Sequence, residues 1–171
     1  PQRPGCGCPR SPLESGCGIS NQGSYVKLLS KFVNAPCVTT VTNGYDAGFG
    51  TLRQAVACAN AGDTIALDLP VATTLQLTSQ LVINKDLVIV NSSTSQAPVH
   101  CIASGSGIII NSGKTVHLHD LSITGVCTNL IQNLGNLHLH HVRFDATGVT
   151  GNVLRNLGGE ARVYGVVELK E

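Results

Sequence analysis

Imidazole is the side chain best suited to bind a transition metal or move a proton near neutral pH, and here its placement is uneven. Of six histidines, five fall in two short stretches, "VHLHDLSI" (116–123) and "LHLHHVRF" (137–144). In both, His alternates with Val or Leu, placing His117 and His119 in the first and His138 and His140 in the second. Alternation is the period of a β-strand, whose successive side chains point to opposite faces. The imidazoles therefore share one face and the aliphatic residues the other. With the two strands side by side, about 4.8 Å apart, His117 stands against His138 and His119 against His140. Such a two-by-two patch could present nitrogens to one Zn, Cu or Ni ion. A structural site normally offers four ligands, however, and a catalytic one three and a water. No Cys or carboxylate is forced into the patch, although Asp120 and His141 follow at the next bend. The sequence therefore favours a solvated or interface-forming histidine face, with metal binding the sharper alternative and no cofactor required.

Carboxylate chemistry has less to draw on. The chain holds ten acidic residues, and Asp86, Asp120, Asp145, Glu160 and Glu168 each fall at a different place in the pattern described next. Cleavage of a glycosidic bond needs at least two carboxylates facing one sugar ring. Arg143, Arg155 and Arg162 are expected to point outward without partnering acids. Aromatic platforms for sugars are missing, with aromatics at 4% of residues. No motif proposes a Ser or Cys nucleophile. The expectation is a protein that is not an enzyme.

What positions the histidines is a repeat. "LVIN" ends at Asn84, "IIIN" at Asn111, "LIQN" at Asn133 and "VLRN" at Asn156, at spacings of 27, 22 and 23 residues. Each is followed by a short turn and a second strand: "LVIV" (87–90), "VHLH" (116–119), "LHLH" (137–140) and "ARVY" (161–164). Self-similarity at this period marks a solenoid whose coils bury faces against their neighbours. Leu87, Val116, Leu137 and Ala161 should form one inward column, and Ile89, Leu118, Leu139 and Val163 a second. The outward histidine columns continue as Val88 and Val90 on one side and Arg162 and Tyr164 on the other. Asn84, Asn111, Asn133 and Asn156 read as a structural ladder, since Asn tolerates left-handed bends and its amide can bond to the next rung.

Upstream, "GTLRQAVACANAGDTI" (50–65) resembles the "GSLRQAI…NAGDTI" segment that opens many bacterial secreted right-handed parallel β-helix proteins, the pectate-lyase-like solenoids. The resemblance covers roughly residues 38–171 and bears on fold rather than activity. It implies an all-β, right-handed parallel β-helix of roughly four to six coils, capped by a short helix around Leu52–Asn60, with a strand at Thr64–Leu67. Because relatives of that fold cleave polysaccharides, a small polysaccharide-active lyase or hydrolase is the alternative function.

Residues 1–36 lie outside this scheme and form a separate Cys-, Gly- and Pro-rich arm, followed by the β-helix domain at 37–171. The arm carries Cys6, Cys8 and Cys17, then an apolar set, Tyr25, Leu28, Leu29, Phe32 and Val33, near helical spacing; a strand of an assembly interface is the rival reading. Seven cysteines point to an oxidising compartment. Cys37 with Cys58 would tie cap to coil. Cys101 with Cys127 could meet at one corner of adjacent coils, or remain buried thiols.

Composition narrows the partners. A net charge of +1 favours neither nucleic acid nor an anionic membrane, and no apolar run approaches the roughly 18 residues needed to span a bilayer. The opening Pro1 points to processing, such as removal of a signal peptide. The last stretch, "RVYGVVELKE", reads as strand with only Glu168, Lys170 and Glu171 to guard its edge. The expected protein is secreted or displayed at a cell surface, a filament subunit or adhesin-like stalk. It should form homo-oligomers or polymers through the arm and the coil ends, with a glycan or the cell surface as a further contact.

Overall fold

The computed structural model describes residues 37–93, 98–165 and 167–170. The arm, with Cys6, Cys8, Cys17, Tyr25, Leu28, Leu29, Phe32 and Val33, lies outside these residues.

Short parallel strands dominate, because the sequence supplies runs of three to five residues broken by Gly, Asn, Asp and Ser turns. The first strand, β1 (Thr40–Val41), precedes α1 (Leu52–Cys58), the single helix among the described residues. Strands then follow in threes: β2 (Thr64–Leu67), β3 (Leu75–Leu77) and β4 (Leu81–Ile83); β5 (Leu87–Asn91), β6 (Pro98–Cys101) and β7 (Ser106–Ile110). The third coil holds β8 (Thr115–His119), β9 (Ser122–Gly125) and β10 (Asn129–Asn133); the fourth holds β11 (Asn136–His140), β12 (Arg143–Asp145) and β13 (Asn152–Asn156). A fifth begins with β14 (Ala161–Tyr164) and β15 (Glu168–Lys170). Like strands stack in three parallel sheets, ordered β1-β2-β5-β8-β11-β14, β3-β6-β9-β12-β15 and β4-β7-β10-β13. The chain is a parallel β-solenoid of about five turns.

Two strands per coil were legible in the sequence; the third was not. Strands β6, β9 and β12 have only three or four residues, too few for alternation to register.

The core is a set of columns running along the solenoid. Ile65, Ile89, Leu118, Leu139 and Val163 are successive partners in one, and Leu87, Val116, Leu137 and Ala161 in the next. Leu75, Val99, Ile123, Phe144 and Leu169 fill the second sheet's column. Each fully buried Leu or Ile contributes about 1.5–3 kcal/mol.

The amino-terminal end is closed by α1, which buries Leu52, Ala55 and Val56. Thr51 is its N-cap, accepting from the Gln54 N–H, while Gln54 Oε1 accepts from the Gly50 N–H. At the other end of the helix, Lys85 Nζ donates to the carbonyls of Val56, Ala57 and Ala59, a cation where the helix dipole is negative. The Cys37–Cys58 disulfide, with Cα atoms 5.4 Å apart, ties the helix to the segment before β1.

Three expectations are corrected. Cys101 and Cys127 are separate thiols, both buried. Cys101 packs toward the space left at Gly107, and the Cys127 Sγ lies 3.1 Å from the carbonyl of Asn129. The four-rung asparagine ladder is also broken: Asn133 pairs with Asn156 but stands opposite Ile110, not Asn111. Asn133 is thus an inward residue, fully buried, whereas Asn84 and Asn156 are exposed. None of the four asparagines is left-handed; in the turns after Asn111 and Asn156 that conformation falls to Gly113 (φ 71°) and Gly159 (φ 71°), and at the bends after β8, β11 and β14 to Asp120 (φ 56°), His141 (φ 51°) and Gly165 (φ 79°). Finally, Arg143 pairs with Glu168 and Arg162 with Glu160, so these two arginines do have acidic partners.

Candidate functional site

Strands β8 and β11 align residue for residue, Val116 against Leu137 and Leu118 against Leu139, with the histidines on the opposite face. The same register sets His117 against His138 and His119 against His140, as alternation required. Their rings stack: the centroids of His119 and His140 are 4.0 Å apart at 6° between planes, and those of His117 and His138 are 4.3 Å apart at 35°. One coil further, Tyr164 extends the stack from His140, 4.5 Å away at 8°. One coil back, the column gives way to Val88 and Val90.

The face is half-buried, and its electrostatics follow. Burial, and behind it the neighbouring imidazoles His138, His140 and His119, holds His117 below the ordinary histidine pKa. Burial likewise depresses His119, with His140 adding to it and Asp120 opposing. For His138, burial leads and the Arg162 guanidinium adds to it, against the attraction of Glu160. The three rings are therefore weaker bases than a free imidazole, which favours their neutral form. One ring nitrogen each from His117, His138 and His140 lies within 4.8 Å of the other two; His119 stands outside that trio. The Nε2 atom of His140 is buried and has no hydrogen-bond partner among the described residues. Asp120 and His141 face one another across adjacent bends at 3.8 Å, both exposed.

Two features escaped the sequence reading. Buried Asn129 donates to Ser106 Oγ and accepts from the backbone N–H of Asn152, a ladder across three coils. Its signal was the repeated Asn-x-x-x-Asn of 129–133 and 152–156, at a spacing of 23 residues. The second is an open cleft of about 560 Å³ near the cap, lined by Thr42, Asn43, Tyr45, Thr73, Thr74 and Gln76. Tyr45 there is 73% exposed, an aromatic surface that composition alone did not place.

Carboxylates are engaged elsewhere. Asp46 pairs with Arg53, Glu168 with Arg143, Glu160 with Arg162 and Asp145 with Lys170. Among the described residues no helix is long and apolar enough to cross a membrane. Compared with known proteins, the chain matches no family model, no curated protein and no solved structure.

Proposed function

We propose that the chain is a self-associating structural solenoid, a filament subunit or adhesin-like stalk, working in an oxidising extracellular or cell-surface setting. One observation carries this reading: β13, β14 and β15 are each the last strand of a sheet, and apolar side chains around them are uncovered. Leu157, Val163 and Leu169 are 51%, 55% and 56% exposed. Their counterparts one coil back in two of the columns, Leu139 and Phe144, are buried. An open edge with bare core positions is the surface that parallel solenoids cover by stacking. The occupant proposed is a second copy of the chain, with residues 1–36 docking on a neighbour through their apolar set and cysteines. The Cys37–Cys58 bond supports the oxidising setting.

Sedimentation velocity on the full chain tests it. The native chain should associate with rising concentration, and V163K/L169K, which places charge on the open edge, should sediment as a monomer. A native chain that stays monomeric throughout removes the proposal. Deleting residues 1–22 should weaken assembly while leaving the β-sheet circular dichroism unchanged; full assembly without them confines the contact to the coil end.

The cleft beside Tyr45 favours a second reading, contact with a glycan, since an exposed tyrosine ring beside threonine and asparagine groups can stack on a sugar and hydrogen-bond its hydroxyls. Retention on immobilised polysaccharide that Tyr45→Ala abolishes would support it, and retention unaffected by that change would count against it.

A further inference from the structure

The histidine face has a property that self-association does not use. His138 and His140 project from one strand, β11, and His117 from the strand stacked on it, β8. Backbones that form a continuous parallel sheet have little freedom to separate, so the three imidazoles are held near one another by the fold itself. Their nitrogens lie within 4.8 Å. An ion bound at 2.0–2.1 Å from each would need them about 3.3 Å apart in tetrahedral geometry. Half-buried side chains close that gap by small rotations about χ1 and χ2. A second observation points the same way. His140 Nε2 is out of contact with solvent and has no hydrogen bond among the described residues, which is uncommon for a buried polar atom in a folded protein. A ligand on that nitrogen would satisfy it.

We propose that His117, His138 and His140 form a binding site for a single first-row transition-metal ion of intermediate softness, Zn2+ or Cu2+. The donor set decides the class. Three imidazoles with no thiolate or carboxylate among them suit Zn, Cu or Ni, whereas Ca2+ and Mg2+ demand oxygen ligands. Three protein ligands leave one position of a tetrahedral ion open to water or an exogenous group. His119 stacks on His140 and acts as a wall that limits how that ring can turn. Arg162, a cation beside the site, is the register partner of His138 and is paired with Glu160, so its charge is partly offset before an ion arrives.

Isothermal titration of ZnCl2 into the full chain, after chelator treatment and dialysis, tests the site. One ion should bind per chain. His117→Asn, His138→Asn and His140→Asn should each weaken binding by about tenfold or more, at least the loss expected on disturbing a metal's supporting residues. His100→Asn, on β6 in a different sheet, should bind as the native chain does. So should the C6S/C8S/C17S variant, which removes the thiols that could capture zinc independently. Absence of zinc binding overturns the proposal, as does binding that survives in H117N/H138N/H140N and disappears in the cysteine variant. Cobalt substitution of the native chain needs no variant to fold. Visible ligand-field bands without the near-ultraviolet thiolate-to-cobalt transition support an all-imidazole site, and a thiolate transition overturns it.

Discussion

Asn133 sits where an aliphatic residue stands one and two coils earlier, opposite Ile110, itself opposite Ile83. Its amide makes the position tolerable: Nδ2 donates to Asn156 Oδ1 and to the Glu160 carbonyl, and Oδ1 accepts from the Gly135 N–H. Asn133→Ala leaves the buried Gly135 N–H unmatched, while the Glu160 carbonyl keeps its bond from the Leu137 N–H, and should cost about 1–3 kcal/mol. Exposed Asn84→Ala should stay within about 0.5 kcal/mol; urea midpoints compare the two, and equal losses would restore the longer ladder. Gly125 is a second fixed point, because a Cβ there would lie 2.1 Å from the carbonyl oxygen of Cys101 at φ 148°. Gly125→Ala should destabilise by about 3 kcal/mol or more. At Gly48 (φ 109°), where nothing approaches within 4 Å, only the backbone strain of about 1–2 kcal/mol applies. The histidine face was readable in advance because alternation fixes direction without any knowledge of partners. The asparagine register was not, because Asn111 and Asn133 stand 22 residues apart, whereas the strand pairing runs from Ile110 to Asn133 and from Asn133 to Asn156, 23 residues each.

Among the elements, α1 depends most on side chains from outside itself. Arg53 reaches from the helix to Asp46 and to the carbonyls of Ser79 and Gln80, while Asp46 also accepts from the hydroxyls of Thr78 and Ser79. Burial works to raise the Asp46 pKa, but the bonds from Arg53, Thr78 and Ser79 outweigh it and hold the group below the ordinary carboxylate range. The folded value is thus the lower one. The stabilisation is complete above the unfolded value of about 3.9 and is lost as pH falls through the folded value. Asp46→Asn should lower stability at neutral pH and flatten the part of the acid slope that lies below about pH 4; an unchanged slope would assign that slope to other carboxylates. Reducing Cys37–Cys58, which closes a separation of 21 residues, should cost about 3 kcal/mol, measured as a drop in denaturation midpoint on adding reductant. The cap helix and the strand at 64–67 were expected because "GTLRQAVACANAGDTI" resembles the segment that opens parallel β-helix proteins; the Thr51 cap itself emerged only with the structure. The Arg143–Glu168 pair was invisible because it joins residues 25 apart whose adjacency depends on register.

Among the described residues the two ends of the solenoid differ: one is closed by a helix and a disulfide, and at the other β13, β14 and β15 are the last strands of their sheets. Coils that touch only their neighbours lose structure from the least supported end. Hydrogen exchange should therefore find the amides of β13, β14 and β15 opening first and those of β2 and β5 last. Two thiols lie partway along this path, Cys101 in the second coil and Cys127 just beyond β9 in the third. Burial, with the hydrogen bond to Cys101 behind it, pushes the Cys127 thiol up to about 12, and the side chain is buried, so alkylation should be slow while the coils around it are intact. The pair is an internal clock: alkylation of Cys127 dates the arrival of the unzipping front at the middle of the stack. If a second copy covers the bare end, that clock should slow as protein concentration rises, and the kinetics of one silent sulfur would report on assembly at a surface several coils away.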